Sequence, residues 1–162
     1  MKTTKSIFGM LAMAALAAIC GFAQSPDKPT KNPNYDAALA KKVGADKMGM
    51  RRYILAVLRT GPRDSEVKGA ERQEMFKGHF ANIDALAAQG KLAIAGPFND
   101  PDKKMRGLYI FSVGSVDEAR KLLEADPTVK SGIFVAEYVP WYGSAGLMEV
   151  NRIHNIISED NP

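Results

Sequence analysis

Residues 53–58 read YILAVL, a continuous apolar run that is rich in branched side chains. Such a run is typical of a strand that is buried on both of its faces. Gly61 and Pro62 follow closely and end it. Because both faces of this strand need cover, the rest of the chain has to supply a packing layer on each side of it.

A helix is predicted directly after this strand, over residues 71–89. Its apolar side chains recur at the three- and four-residue spacing of a helix that packs against a core. The predicted stripe consists of Phe76, Phe80, Ile83 and Ala87. Gly90 stands where the C-terminal cap of the helix is expected, because glycine adopts the left-handed conformation of that position without strain.

Three more strands and a second helix follow. The strands are predicted at residues 92–98, 108–113 and 133–141. Ser115 and Glu118 have the spacing of a capping box, in which the two side chains bond free amides at the start of a helix. This helix is expected to end near Ala125, because Pro127 disfavours helical geometry at the residue before it.

The resulting order of elements is β-α-β-β-α-β, which predicts an α+β domain with the ferredoxin-like arrangement and an antiparallel sheet. Two helices cover only one face of a four-stranded sheet. A second copy of the chain is the simplest source of cover for the other face, so the sequence predicts a homodimer whose sheets pack face to face. The alternative is an apolar cleft on that face, which binds a small ligand instead.

Residues 1–23 have the layout of a secretory signal peptide. Two lysines precede an apolar run over residues 7–18, and small residues stand before a cleavage site ahead of Gln24. The run is too short to span a bilayer, so no membrane anchor is expected. We therefore expect an exported bacterial protein of the periplasm or the extracellular space. A transmembrane anchor and lipid attachment at Cys20 are the alternatives.

The rest of the domain organisation follows from these segments. A proline-containing linker is expected at residues 24–50, with a short helix at residues 36–42. The folded domain is expected at residues 51–142. Residues 143–162 then form a C-terminal extension, which is apolar enough at residues 147–157 to dock as a helix.

Composition and motifs exclude several function classes. Part of the formal net charge of +4 belongs to the leader, and no cluster of arginine and lysine with interleaved aromatic residues indicates nucleic-acid binding. The single cysteine also belongs to the leader, so neither a disulfide nor a thiol nucleophile is expected after cleavage. The two histidines, His79 and His154, are far apart in sequence and predict no metal site, and no glycine-rich phosphate loop follows a strand. No cofactor is therefore expected.

Five short motifs in this order resemble the YCII-related (YciI-like) domain family, over residues 51–141. They are GHFANI at 78–83, GKL at 90–92, AGPF at 95–98, RG at 106–107 and ADP at 125–127. The resemblance implies the dimeric α+β barrel fold of the muconolactone isomerases. It also implies that His79 and Asp126 match the catalytic pair proposed for the family. Most members have no known activity, and a few relatives act as dehydrochlorinases on chlorinated aromatic degradation products.

His79 is the residue on which a catalytic reading depends. It falls beside Ile83 on the buried side of the predicted helix, where an imidazole loses hydration and its neutral, proton-accepting form is favoured. Asp126 ends the second helix in the same layer, and its carboxylate could fix the tautomer of the imidazole. The alternatives are a core histidine bonded to a backbone carbonyl and an aspartate that only terminates a helix.

Two arginines are candidates for substrate binding. Arg72 lies seven residues before His79 and could hold a substrate carboxylate, although an arginine in a first helical turn is more often a solvated rim residue. Arg106 precedes the third strand and is the second candidate to face the same cleft in the folded chain. Together these residues predict a small lyase- or isomerase-like enzyme that moves a proton on an organic acid or lactone. A non-catalytic small-molecule-binding module and a purely structural dimer are the alternatives.

Overall fold

The computed structural model describes residues 31–159. The predicted leader, its cleavage site and the first part of the linker lie outside the described residues. Asn32 and Tyr35 belong to a short turn in a separate N-terminal unit, in which the amide of Tyr35 donates to the carbonyl of Asn32 at 3.2 Å. Everything described below belongs to the second compact unit, which begins at Asp36.

Four antiparallel strands form one sheet with the spatial order β2-β3-β1-β4. The strands are β1 (Met50–Thr60), β2 (Leu92–Pro97), β3 (Met105–Phe111) and β4 (Phe134–Ser144). The helices are α1 (Ala37–Lys42), α2 (Gly69–Ala88), α3 (Val116–Glu124), α4 (Pro127–Lys130) and α5 (Val150–Ile157). With α2 between β1 and β2, and α3 between β3 and β4, the domain has the predicted ferredoxin-like α+β arrangement.

The central strand β1 carries apolar side chains on both faces, as residues 53–58 predict. Ile54, Ala56 and Leu58 face the helix layer and are 5%, 0% and 1% exposed. Tyr53 faces the other side of the sheet and is also fully buried, against Ala93 and Ile110. The helix-facing side of β1 is therefore buried, whereas on the opposite side Leu55 and Val57 are only half-buried.

Local signals position the helix layer. The Ser115 hydroxyl accepts a hydrogen bond from the amide of Glu118 at 3.2 Å, so the predicted N-terminal cap of α3 is confirmed. The Glu118 carboxylate bonds the amide of Gly114, one residue before the position that a capping box requires. Asp36 caps the short helix α1 through the amides of Ala38 and Leu39.

The predicted apolar stripe of α2 is only partly buried. Phe76, Ile83 and Ala87 are half-buried and Phe80 is 59% exposed, whereas His79 and Leu86 are the buried residues of this helix. The prediction that His79 is buried is confirmed, and the prediction that Phe80 is buried is wrong. Neighbouring residues of a helix point in different directions, so the inward position of His79 leaves Phe80 more exposed.

The C-terminal extension docks on the domain in two parts, as its apolar pattern predicts. A 3₁₀ turn at Ala145–Glu149 packs Leu147 and Met148 against the sheet face that holds Tyr53. Helix α5 then runs along the edge strand β2, where the Asn151 amide Nδ2 donates to the carbonyl of Leu92 at 2.8 Å. This hydrogen bond pairs a backbone group that an edge strand would otherwise leave open.

Candidate functional site

Two dipeptides from distant parts of the sequence pack directly against each other. Gly78 and His79 lie in the middle of α2, and Asp126 and Pro127 lie at the start of α4. A Cβ atom added to Gly78 would stand 2.7 Å from Cγ of Pro127, so only glycine permits this close approach. The approach of the two helices places the imidazole of His79 beside the carboxylate of Asp126.

The His79–Asp126 contact is the centre of a buried polar cluster. Nδ1 of His79 lies 2.7 Å from Oδ2 of Asp126, and the two side chains are 10% and 0% exposed. The sequence prediction that these two side chains meet is confirmed. Their role in catalysis remains a prediction.

Two residues that the sequence reasoning missed complete the cluster. The Tyr109 hydroxyl donates to Oδ2 of Asp126 at 3.2 Å, and the Thr128 hydroxyl donates to Oδ1 at 2.6 Å. The amide of Thr128 also donates to Oδ1, at 2.9 Å. Asp126 therefore accepts from four donors and is the hub of the cluster, although it has no contact with solvent.

The helix-terminating role of Asp126, which the sequence left as an alternative, is also present. Its Oδ1 atom binds the amide of Thr128 and caps α4, while Oδ2 binds His79 and Tyr109. One carboxylate thus fulfils both functions, one with each oxygen. The Asp-Pro-Thr sequence is the signal that could have pointed to Thr128, because proline at the first position of a helix leaves the next amide for the cap.

The cluster holds Asp126 in its ionised form. Burial by itself would raise the pKa of this carboxyl, but the hydrogen bonds from His79 and Thr128 outweigh burial and lower the pKa below 3.8. Burial and the neighbouring charge of Asp126 raise the pKa of the Tyr109 phenol. Tyr109 therefore stays protonated and acts as a donor.

This charge state decides the tautomer of His79. An ionised carboxylate only accepts hydrogen bonds, so the proton of the neutral imidazole has to be on Nδ1. The other nitrogen, Nε2, lies on the opposite edge of the ring and is left with a free lone pair. Among residues 31–159, Nε2 has no hydrogen-bond partner.

A cavity of about 870 Å³ opens beside the ring of His79. It lies between α2 and the strands β2 and β3, and its wall is mainly apolar, with Phe76, Ile83, Leu92 and Phe134 among the lining residues. A volume of this size accommodates a small organic molecule. His79 is one of the polar residues on this wall, so a bound molecule would meet its imidazole ring.

The two predicted substrate-binding arginines have different surroundings. The Arg72 guanidinium is held by Asp64, with 2.7 Å between Nη2 and Oδ1, and packs over the ring of Phe76. Arg72 is not among the described residues that line the cavity. Arg106 does line it, with its guanidinium over the ring of Phe134 and a loose contact of 3.5 Å to Asp64. Of the two predicted arginines, Arg106 is the one that shares the cavity with His79.

Residues 31–159 contain neither a candidate metal site nor a candidate membrane-spanning helix. Between residues 31 and 159, no group of three or more His, Cys, Asp or Glu side chains is arranged to hold a metal ion. Over the same residues, no helix has the length and apolar character needed to cross a membrane.

Comparison with known proteins agrees with the motifs. The family model of the YCII-related domain matches residues 54–142. The chain belongs to the YCII-related domain family. Strands β1 to β4 of this YCII-related domain and the whole His79–Asp126 cluster lie within or at the edges of the matched segment, whereas α5 follows it.

Two relatives of this YCII-related domain place it among known proteins. The uncharacterized protein YjpA of Bacillus subtilis (strain 168) is 38% identical over 60 residues, which are 37% of this chain and 67% of that protein. The structure of 5-chloro-2-hydroxyhydroquinone dehydrochlorinase (TftG) from Burkholderia phenoliruptrix AC1100, in complex with 2,5-dihydroxybenzoquinone, is 21% identical. That match covers 54% of this chain and 90% of the other, with a TM-score of 0.38.

Proposed function

We propose that this protein is a lyase- or isomerase-like enzyme that moves a proton on a small organic acid or lactone. His79 is the general base and Asp126 orients it. The observation that supports this proposal is the 2.7 Å contact between Nδ1 of His79 and the buried carboxylate of Asp126, with His79 on the wall of a cavity and its Nε2 atom without a hydrogen-bond partner among residues 31–159. A core histidine with a purely structural role has no need of a free nitrogen at a cavity wall.

The proposed step begins at a C–H bond next to a carbonyl group of the substrate. Nε2 takes the proton, the C–H bond breaks, and its electron pair moves onto the carbonyl to form an enolate. His79 is then an imidazolium with protons on both nitrogens, and the negative charge of Asp126 stabilises it. In an isomerase the proton returns to another carbon. In a lyase the enolate expels a leaving group, such as chloride or hydroxide.

Arg106 is the proposed substrate-binding residue. Its guanidinium lines the cavity and packs on Phe134, a ring whose centroid is also 5.8 Å from the centroid of His79. The single carboxylate of Asp64 faces both Arg72 and Arg106 and is closer to Arg72. Positive charge therefore remains at Arg106 for a substrate carboxylate, which arginine binds with two parallel hydrogen bonds.

The proposal includes an exported homodimer. The leader pattern of residues 1–23 supports export, and N-terminal sequencing of the periplasmic fraction tests it. Exposed apolar side chains on one face of the sheet support a dimer, namely Val135, Val139 and Trp141. Light scattering of the mature protein at micromolar concentration tests the dimer, and a monomer would contradict it.

Solvent deuterium exchange tests the proton transfer without knowledge of the full reaction. A panel of oxo acids and lactones is incubated with the protein in D₂O, and incorporation of deuterium at carbon is followed by NMR. We expect exchange with wild type, and a loss of about 100-fold or more in His79→Gln, in line with the usual contribution of a general base. Lys77→Ala, an exposed neighbour on α2, is the matched control and keeps the wild-type rate.

Nitrogen NMR of the imidazoles provides a second readout that needs no substrate. With two histidines in the chain, the spectrum is simple to assign through His79→Gln. We expect neutral His79 to carry its proton on Nδ1 in wild type and to lose this preference in Asp126→Asn. A proton on Nε2 in wild type contradicts the general base. Ligand binding without any exchange favours the non-catalytic binding module instead.

A further inference from the structure

Helix α5 forms one wall of the cavity that holds His79. Four of its residues line the cavity, namely Asn151, Arg152, His154 and Asn155. The segment that matches the YCII-related domain ends at residue 142, so this wall is an addition to the family domain. It changes the size and polarity of the space next to the catalytic cluster.

Several contacts fix α5 in this position. The preceding 3₁₀ turn is packed on the sheet by Leu147 and Met148, and Asn151 bonds the carbonyl of Leu92 at 2.8 Å. The Glu149 carboxylate at the start of α5 pairs with Lys42 at 2.7 Å and with Arg152 at 2.6 Å. The ion pairs of Glu149 and the hydrogen bond of Asn151 therefore hold the first turn of α5 in place.

The apolar side chains of α5 are exposed, although their burial against the domain would stabilise the docked helix. An amphipathic helix that docks to bury surface turns its apolar side toward the domain. Here the polar residues Asn151 and Asn155 face the cavity, while Ile153, Ile156 and Ile157 are 45%, 70% and 72% exposed. The side that faces the cavity is thus suited to polar contact with a bound molecule.

Arg106 and α5 lie at opposite ends of the cavity. The carbonyl of Arg106 accepts from the amide of Phe98 just beyond the end of β2, whereas Asn151 bonds Leu92 at its start. Six residues of extended chain separate these two points, a distance of about 20 Å. The wall between them is mainly apolar, with Ile83, Ala87 and Ala95, and it also includes Asp84.

Resting on the proposed function, we propose that the substrate is an elongated carboxylic acid with a polar group at its far end. Its carboxylate binds Arg106 beside His79, and its apolar body lies between α2 and β2. The polar end meets Asn155, with His154 and Arg152 beside it. Helix α5 thereby determines which acids the site accepts.

Calorimetric binding of two matched acids tests this assignment. Decanoate and ω-hydroxydecanoate have the same length and differ in the terminal hydroxyl group. An apolar end wall binds decanoate more tightly, because burial of the hydroxyl without a partner is unfavourable. A polar end wall binds ω-hydroxydecanoate more tightly, and we expect a preference of about three- to tenfold, the value of one hydrogen bond.

The same two binding measurements on variants of α5 show which residue causes the preference for ω-hydroxydecanoate. Asn155→Leu is expected to abolish or reverse it, whereas Ile156→Leu, the exposed neighbour, keeps the wild-type ratio of Kd values. Tighter binding of decanoate by wild type, or no binding of either acid, overturns the inference. An unchanged ratio in Asn155→Leu overturns it as well. Because this is a binding ratio, absence of deuterium exchange would reject the catalytic proposal and leave the ratio as it is.

Discussion

The two faces of the sheet are built by the same strands, but they are completed in different ways. On one face, α2, α3 and α4 bury an apolar core that includes Leu58, Leu92 and Phe111. The polar cluster around Asp126 lies in this same layer, and the four donors to its carboxylate come from the same chain. On the other face, a short turn covers Tyr53, while Val139 and Trp141 on β4 remain 49% and 38% exposed.

This difference separates the chemistry of the domain from its assembly. The helix face is finished within one chain, so a carboxylate can be kept dry and ionised there by four donors. On the opposite face, apolar side chains of the edge strand β4 remain exposed in the single chain. A second copy is the cover that we propose.

Asp126→Ala is expected to give the largest loss of stability. It removes the hub of the cluster and leaves the donors on His79, Tyr109 and Thr128 without their acceptor in a buried site. We expect the free energy of unfolding to fall by about 3–5 kcal/mol, as for other buried pairs that lose one partner. Urea denaturation measures it. Asp102→Ala, an exposed aspartate, is the control, and an equal effect of both changes would show that the cluster contributes nothing special.

Gly78→Ala is expected to be destabilising although alanine is the better helix former. Helix propensity alone would stabilise this change by about 1 kcal/mol. The new Cβ atom would stand 2.7 Å from Pro127, so α2 and α4 have to separate. We expect a net loss of about 1–3 kcal/mol, typical of overpacking, in a thermal or urea melt. A stabilised variant would show that the two helices are not held as close as the contact implies.

Acid is expected to weaken the helix face through Asp126. The folded-state pKa of this carboxyl lies below its unfolded value of 3.8, so its contribution is present above about pH 3.8 and is lost as the pH falls below that value. Hydrogen bonds also lower the pKa values of the exposed Asp46, Asp100 and Glu149, so other groups share this pH range. Stability against pH should therefore be flatter in Asp126→Asn than in wild type. Parallel curves would contradict the assignment.

Val139→Asp on the opposite face is expected to change the fold least. The side chain is exposed in the single chain, so the free energy of unfolding at low concentration should change by no more than about 0.5 kcal/mol. Association should be lost instead, because an aspartate would be buried without a partner between two sheets. Light scattering measures the mass. Gln73→Asp on the exposed side of α2 is the control and should associate like wild type.

The sequence was sufficient for the β-α-β-β-α-β order of the strands and the two main helices and for the contact between His79 and Asp126, but it did not predict α4. Binary patterns and end signals are local, so the apolar run at residues 53–58 and the Ser115 cap predict β1 and the start of α3 correctly. The motifs around His79 and Asp126 also predict that these two residues belong together. Such predictions succeed because each rests on a few neighbouring residues or on a resemblance that spans the domain.

The remaining contacts of His79 and Asp126 depend on segments that are distant in sequence. Tyr109 and Thr128 join the cluster because β3 and α4 bring them to Asp126, and no spacing in the sequence marks the tyrosine. His154 and His79 are far apart in sequence, yet both line the same cavity. Packing also left Phe80 exposed, although its spacing had predicted a place on the buried side of α2. Periodicity fixes how often a helix side chain faces the core, whereas contacts between distant segments determine which side chain does so.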